Sequence, residues 1–330
     1  MSIQPKPVTI ISGFLGAGKT SFLNEYTAKN KGVRHFIIEN EFGKESIDAE
    51  LIIAPDSDVF ELNSGCLCCN LNEDLFDVLK DLWERNEEFD ELIIETTGIA
   101  DPANVAQPFI IIPEIKKYYS LSRVICIVDA RLIRIQLRDT EEALKQIAFA
   151  DIILINKTDM VDVGYLTELE ILLQKISPYA TIVQGNKNTG YPVPKLLSLY
   201  RGDFDAKILA PDRESEENNH IPGKAHKEHH HHGISSLTFV FDEPFNLEIF
   251  YHRLLLLLNI QATDIYRVKG ILWVKDQPEK MIVQSVGNIL AITPGNNWNE
   301  DEPRKTKLVF IGRDLKSKGL GDFLAHCLVR

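Results

Sequence analysis

An α/β fold with a mainly parallel, doubly wound sheet is predicted for residues 1–202, and a smaller α+β domain for residues 234–330. Three observations carry this expectation. Short β-branched runs alternate with helical patterns up to about residue 200. A polar, histidine-rich stretch at 203–233 interrupts that rhythm, and beyond it strands and helices segregate.

Within the first domain, "VTIIS" (8–12), "RHFIIE" (34–39), "DVFEL" (58–62), "ELIIE" (91–95), "VICIV" (124–128) and "DIILI" (151–155) read as strands buried on both faces. Helical patterns lie between them. Leu75, Val78, Leu79 and Leu82 fall at i, i+3, i+4 and i+7, one apolar face, with Asn72 as the expected N-cap. Residues 203–233 hold six of the nine histidines and read as an exposed, mobile linker. After it, "SSLTFVFD", "IYRVKGILWVK", "KMIVQSVGNILAI" and "TKLVFIG" read as strands, and 246–258 and 319–329 as helices. The second domain does not repeat the first.

Composition narrows the function classes. The chain has 330 residues, a hydrophobic fraction of 44% and a charged fraction of 25%, which is globular. Its 36 basic against 48 acidic residues give a net charge of −12, which repels a phosphate backbone, so no nucleic-acid partner is expected. The N-terminus lacks the features of a signal peptide, and "LLLLLNI" (254–260) is too short to span a bilayer. A cytoplasmic protein without a membrane partner, its five cysteines reduced, is the expectation.

"GFLGAGKT" (13–20) satisfies G-x-x-x-x-G-K-S/T directly after a strand and before a helix. Gly13, Gly16 and Gly18 allow a tight turn whose N–H groups face phosphate oxygens, and Ala17 and Ser21 complete the binding segment. Lys19 would contact the β- and γ-phosphates, and Thr20 would hold Mg²⁺. "NKTD" (156–159) follows a strand. Asp159 would accept hydrogen bonds from guanine N1 and N2, Asn156 would contact the purine edge, and the Lys157 stem would pack over the ring. GTP over ATP follows.

"ELIIETTGIADP" (91–102) puts Glu95 at a strand end, suited to a water-mediated Mg²⁺ role, with Gly98 ready to sense the γ-phosphate. Residues 96–102 are thus a candidate switch. Lys19 and Glu95 are the candidate catalytic groups. No glutamine or arginine is obviously placed to orient water, so hydrolysis is expected to be slow.

Cys66, Cys68 and Cys69 form C-x-C-C, three sulfurs able to meet one soft or borderline ion. In an open parallel sheet, ligands gather beyond the carboxyl ends of the strands. The phosphate loop, Glu39, the cysteines, Glu95, Asp129 and Asn156 all follow strand ends and should share one rim. Glu39 in "ENEFG" is the candidate oxygen ligand or switch acid. The histidine run "HKEHHHH" (226–232) would capture metal transiently or serve only as a polar linker.

Together, "GFLGAGKT", "ENEFG", "GCLCCN", "ETTGIADP", "NKTD", "YRVKGILWV" and "VFIG" resemble the CobW/YjiA family of P-loop GTPases, described as metallochaperones or zinc-regulated metalloprotein activators. The resemblance implies slow GTP hydrolysis coupled to binding and transfer of a transition metal, most often zinc, to a client metalloprotein. It carries the metal role onto Cys66, Cys68 and Cys69 and supports Glu39. Lys44 departs from the pattern, because the position after "NEFG" is commonly acidic in the family. Co²⁺ for cobalamin synthesis, Ni²⁺, a redox-sensing GTPase and a histidine-linker zinc buffer stay open, as does a homodimer.

Overall fold

The computed structural model describes residues 4–39, 58–61, 67–199, 234–299 and 302–329, at 58–61 and 67–74 the backbone. Cys66, Lys44 and the 203–233 stretch lie outside the described residues. The chain divides into two compact units, Met1–Gln174 with Ala180–Arg201, and Lys175–Tyr179 with Gly202–Arg330.

The first unit is built on a seven-stranded parallel sheet in the order β3-β2-β4-β1-β5-β6-β7. The strands are β1 (Lys6–Ser12), β2 (His35–Glu39), β3 (Asp58–Glu61), β4 (Glu91–Glu95), β5 (Tyr119–Asp129), β6 (Ile152–Asn156) and β7 (Thr181–Gln184). All run the same way, so every carboxyl end opens onto one edge. Every residue of β2, β4 and β6 is buried, as the apolar runs require of strands covered on both faces. The short β7, half-buried at the sheet margin, escapes the sequence pattern because only Val183 among its four residues is buried.

The helices are α1 (Lys19–Lys29), α2 (Leu67–Glu84), α3 (Pro102–Ile111), α4 (Pro113–Tyr118), α5 (Ile133–Asp139), α6 (Glu141–Phe149), α7 (Val163–Ile176) and α8 (Val193–Leu197). Helix α2 corrects the sequence expectation. It starts at Leu67, so Asn72 lies inside it and is not its N-cap. The apolar stripe that revealed the helix continues upstream through Leu71 and Leu67, at i−4 and i−8 from Leu75. Cys68 and Cys69 therefore belong to the first helical turn, not to a loop.

The second unit carries a five-stranded antiparallel sheet, β11-β10-β9-β12-β8, formed by β8 (Ile234–Phe241), β9 (Ile265–Leu272), β10 (Glu279–Val286), β11 (Ile289–Asn297) and β12 (Thr306–Arg313). The run "KMIVQSVGNILAI" is a hairpin, β10 turning into β11 through Gly287 (φ +58°) and Asn288. Phe239, Phe250, Leu254, Leu308, Phe310 and Leu324 join one core between sheet and helices α9 (Leu247–Ile260) and α10 (Leu320–Ala325). Helix α9 is capped by Asn246, which accepts from the Ile249 N–H. Among the described residues no helix is long and apolar enough to cross a membrane.

Candidate functional site

The carboxyl edge of the parallel sheet brings the sequence-selected segments together. β1 runs into the glycine loop, whose Gly13, Gly16 and Gly18 all adopt positive φ, and Lys19 and Thr20 open α1. Ala17 is buried and its N–H donates to the Phe14 carbonyl at 3.1 Å. Two strands away, Glu39 ends β2, standing in register between Glu61 of β3 and Glu95 of β4, which in turn faces Ile11 of β1. The Glu39 and Glu95 side chains are buried. Helix α2, with Cys68 and Cys69 in its first turn, follows β3 in the chain.

The turn after β6 is tied to the phosphate loop across 139 residues of sequence. Asn156 donates through Nδ2 to the Ala17 carbonyl at 2.7 Å, and its Oδ1 accepts from the Lys157 N–H at 2.8 Å. Sequence reasoning points the Asn156 amide at the purine edge; in the structure the same amide also braces the loop against the turn. Lys157 itself sits in the left-handed region (φ 60°) and its Nζ donates to the Gly16 carbonyl at 2.6 Å and to Asp129 Oδ2 at 2.7 Å. Its stem thus lies along the loop. Asp159 is exposed at the mouth, where Asn188 Nδ2 donates to its Oδ2 at 2.7 Å.

Two side chains in this arrangement have no motif to announce them. Tyr191 is buried, donates its hydroxyl to Asn156 Oδ1 at 3.2 Å, and packs edge-on against Phe22 of α1. Gln146, buried on α6, reaches the loop after β4. Each is a single polar residue whose partner lies far off in sequence, so spacing gives no signal.

Asp129 is the electrostatic anchor of the edge. Burial disfavours its carboxylate, but hydrogen bonds from Arg131 and Lys157 outweigh burial and hold its pKa at about 2. That is below the unfolded value of about 3.9, so its stabilisation is complete above that pH and lost as pH falls through about 2. Asp129→Asn should therefore flatten the acid limb of a Tm-against-pH profile between roughly pH 4 and 2. An unchanged limb would show that Asp129 does not govern it.

Among the described residues, no group of three or more His, Cys, Asp or Glu is assembled to hold a metal ion. Two family models match the amino-acid sequence of the chain. Residues 7–184 match "CobW/HypB/UreG, nucleotide-binding domain" and residues 234–328 match "Cobalamin synthesis protein cobW C-terminal domain". The chain belongs to the CobW/HypB/UreG family. It is a P-loop GTPase.

Among curated relatives, the family member named zinc chaperone YjiA from Escherichia coli K12 is 30% identical over 321 residues, covering 95% of this chain and 96% of that one. The zinc chaperone CobW of Pseudomonas aeruginosa is 31% identical over 362 residues, covering 98% and 91%. A crystal structure of a zinc-bound triple mutant of the YjiA GTPase superposes with a TM-score of 0.72 at 27% identity, covering 99% of this chain and all of that one.

Proposed function

We propose that this family member is a GTP-dependent metallochaperone. It binds GTP with Mg²⁺, hydrolyses it slowly, and uses the nucleotide state to set how tightly Cys66, Cys68, Cys69 and Glu39 hold a transition-metal cargo for a client metalloprotein. Zinc is the first candidate cargo, in keeping with the relatives named zinc chaperones.

The observation that carries this reading is the strand order: β3, which precedes the helix bearing Cys68 and Cys69, runs parallel to the strands that end at the phosphate loop and Glu95. A helix N-terminus is where negative charge is stabilised, which suits thiolate ligands. A physical route to the nucleotide also exists. Helix α3 begins where residues 96–101 end, and its Phe109 packs edge-on against Tyr119, whose hydroxyl donates to the Leu79 carbonyl of α2 at 2.9 Å. Movement of the loop would thus bear on the cysteine helix through packed side chains.

The residues fit hydrated Mg²⁺. Thr20 opens α1, Glu95 is buried at a strand end, and Thr97 Oγ1 is buried with no hydrogen-bond partner among the described residues. In this reading Gly13, Gly16, Ala17, Gly18, Lys19, Thr20 and Ser21 hold the phosphates and Asp159 reads guanine. Gly98 would sense the γ-phosphate, and a bound Mg²⁺ would supply charge neutralisation for the phosphates.

The test is Zn²⁺ affinity in the GDP state and with a non-hydrolysable GTP analogue. A difference of at least roughly tenfold is expected, within the usual range of coupling energies. Equal affinities would sink the coupling. The Cys66/Cys68/Cys69 triple serine variant should lose tight Zn²⁺ binding; unchanged stoichiometry would remove these thiols as the cargo site.

A further inference from the structure

Gln146 lies on α6 among Ala143, Leu144, Ile147 and Ala148, all buried. An amide in such a face is costly unless its donors are satisfied. Here Nε2 donates to the Gly98 carbonyl at 3.1 Å and to the Ala100 carbonyl at 3.2 Å. A leucine or methionine would fill the same space and take this donor from the buried Gly98 carbonyl and the part-buried Ala100 carbonyl.

Those carbonyls belong to the loop between β4 and α3, which is tied at its ends and by one internal turn, the Ala100 N–H donating to the Thr97 carbonyl at 3.2 Å. The Thr96 N–H donates to the Ile11 carbonyl of β1 at 2.9 Å, and Asp101 caps α3 by accepting from the Ala103 N–H at 2.9 Å. Gln146 reaches the middle of the loop from another helix. There the backbone is pressed on the phosphate loop: a Cβ on Gly98 would lie 2.6 Å from Leu15 N and 2.8 Å from Leu15 Cα. Fixing the Gly98 carbonyl fixes the peptide plane that follows it, and so the approach of this segment to Leu15.

We propose that Gln146 is a positioning residue for the triphosphate state: it holds the Gly98 segment docked on the phosphate loop, where the Gly98 N–H meets a γ-phosphate. This rests on the reading of residues 96–102 as the nucleotide switch. GDP has no group at that position, so the amide bears on GTP binding and hydrolysis and not on GDP binding. A ligand shifts such a loop only by its differential interaction with the docked and undocked states, and Gln146 biases that equilibrium before nucleotide arrives.

The experiment measures Kd for GDP and for a non-hydrolysable GTP analogue, with turnover, in full-length Gln146→Leu and Gln146→Glu. GDP affinity should stay within about twofold, while analogue affinity and kcat fall roughly tenfold, as expected for losing a buried two-pronged donor. The glutamate variant keeps the size but turns oxygen towards both carbonyls, and should be at least as impaired. If the leucine variant does not fold, Gln146→Asn, which keeps the amide but shortens its reach, gives the same reading.

Equal losses for both nucleotides, or an unchanged ratio, would overturn the proposal, since a merely structural glutamine moves both affinities together. Gly98→Ala separates the two layers of the argument. If it changes the ratio while the Gln146 variants do not, the Gln146 proposal alone fails. If it also leaves the ratio unchanged, the switch reading fails with it.

Discussion

Gly18→Ala is expected to weaken GDP and GTP binding by at least roughly 100-fold, with the apo protein still folded. Gly18 caps α1 at φ 99°, a conformation that penalises any side chain. Its missing Cβ also makes room for a partner. A Cβ there would lie 2.4 Å from Asn156 Nδ2, the atom that donates to the Ala17 carbonyl. The two ends of the nucleotide site could then no longer close on each other. Gly16→Ala is the control: φ is +75°, but nothing lies within 4 Å of the added carbon. It should lose only what backbone strain costs, about a tenfold smaller effect. Titration of a fluorescent GDP analogue would check both, and equal losses would show that the Asn156 brace does not matter.

Glu91→Ala should lower stability by about 3–5 kcal/mol, a fall of roughly 10 °C in Tm, because it removes the acceptor from a buried polar cluster. Thr9 Oγ1 donates to Glu91 Oε1 at 2.6 Å, and the Tyr26 hydroxyl donates to the same atom at 3.1 Å. Asn30 Nδ2 donates to Oε2 at 3.4 Å, and His35 Nε2 lies 3.4 Å away. Tyr26 and Asn30 belong to or cap α1, so the cluster fastens the helix of the phosphate loop to β4. Burial opposes ionisation of Glu91, but the His35 and Thr9 hydrogen bonds prevail and hold its pKa below the usual value. A depressed folded-state pKa gives stability that is complete above the unfolded value, about 4.3, and drains away as pH falls below it. The alanine variant should therefore lose most at neutral pH and converge on the parent protein in acid. A pH-independent difference in thermal melts would contradict this.

How much of the site was legible depended on how local each constraint is. The position of the glycine loop, Glu39, Glu95 and the "NKTD" turn is legible because each lies at or just after a strand end, and all lie at the carboxyl edge of the parallel sheet. The start of α2 was missed because Leu75, Val78, Leu79 and Leu82 mark the packed face more clearly than the first two turns do. Gln146 and Tyr191 were invisible because their partners are 48 and 35 residues away. In hindsight Gln146 leaves one trace, a polar residue on the apolar face of its helix, and that trace does not name what it faces.

Sequence alone determined the fold class, the family resemblance and the phosphate loop, because those rest on steric and periodic rules acting over a few residues. Only the tertiary structure decided that Asn156 braces the phosphate loop, that Cys68 and Cys69 open a helix, and that Gln146 holds the segment after Glu95. These are consequences of strand order. β1 stands between β4 and β5, and β5 between β1 and β6, so residues more than a hundred positions apart become hydrogen-bond partners. No local pattern in the chain encodes that adjacency.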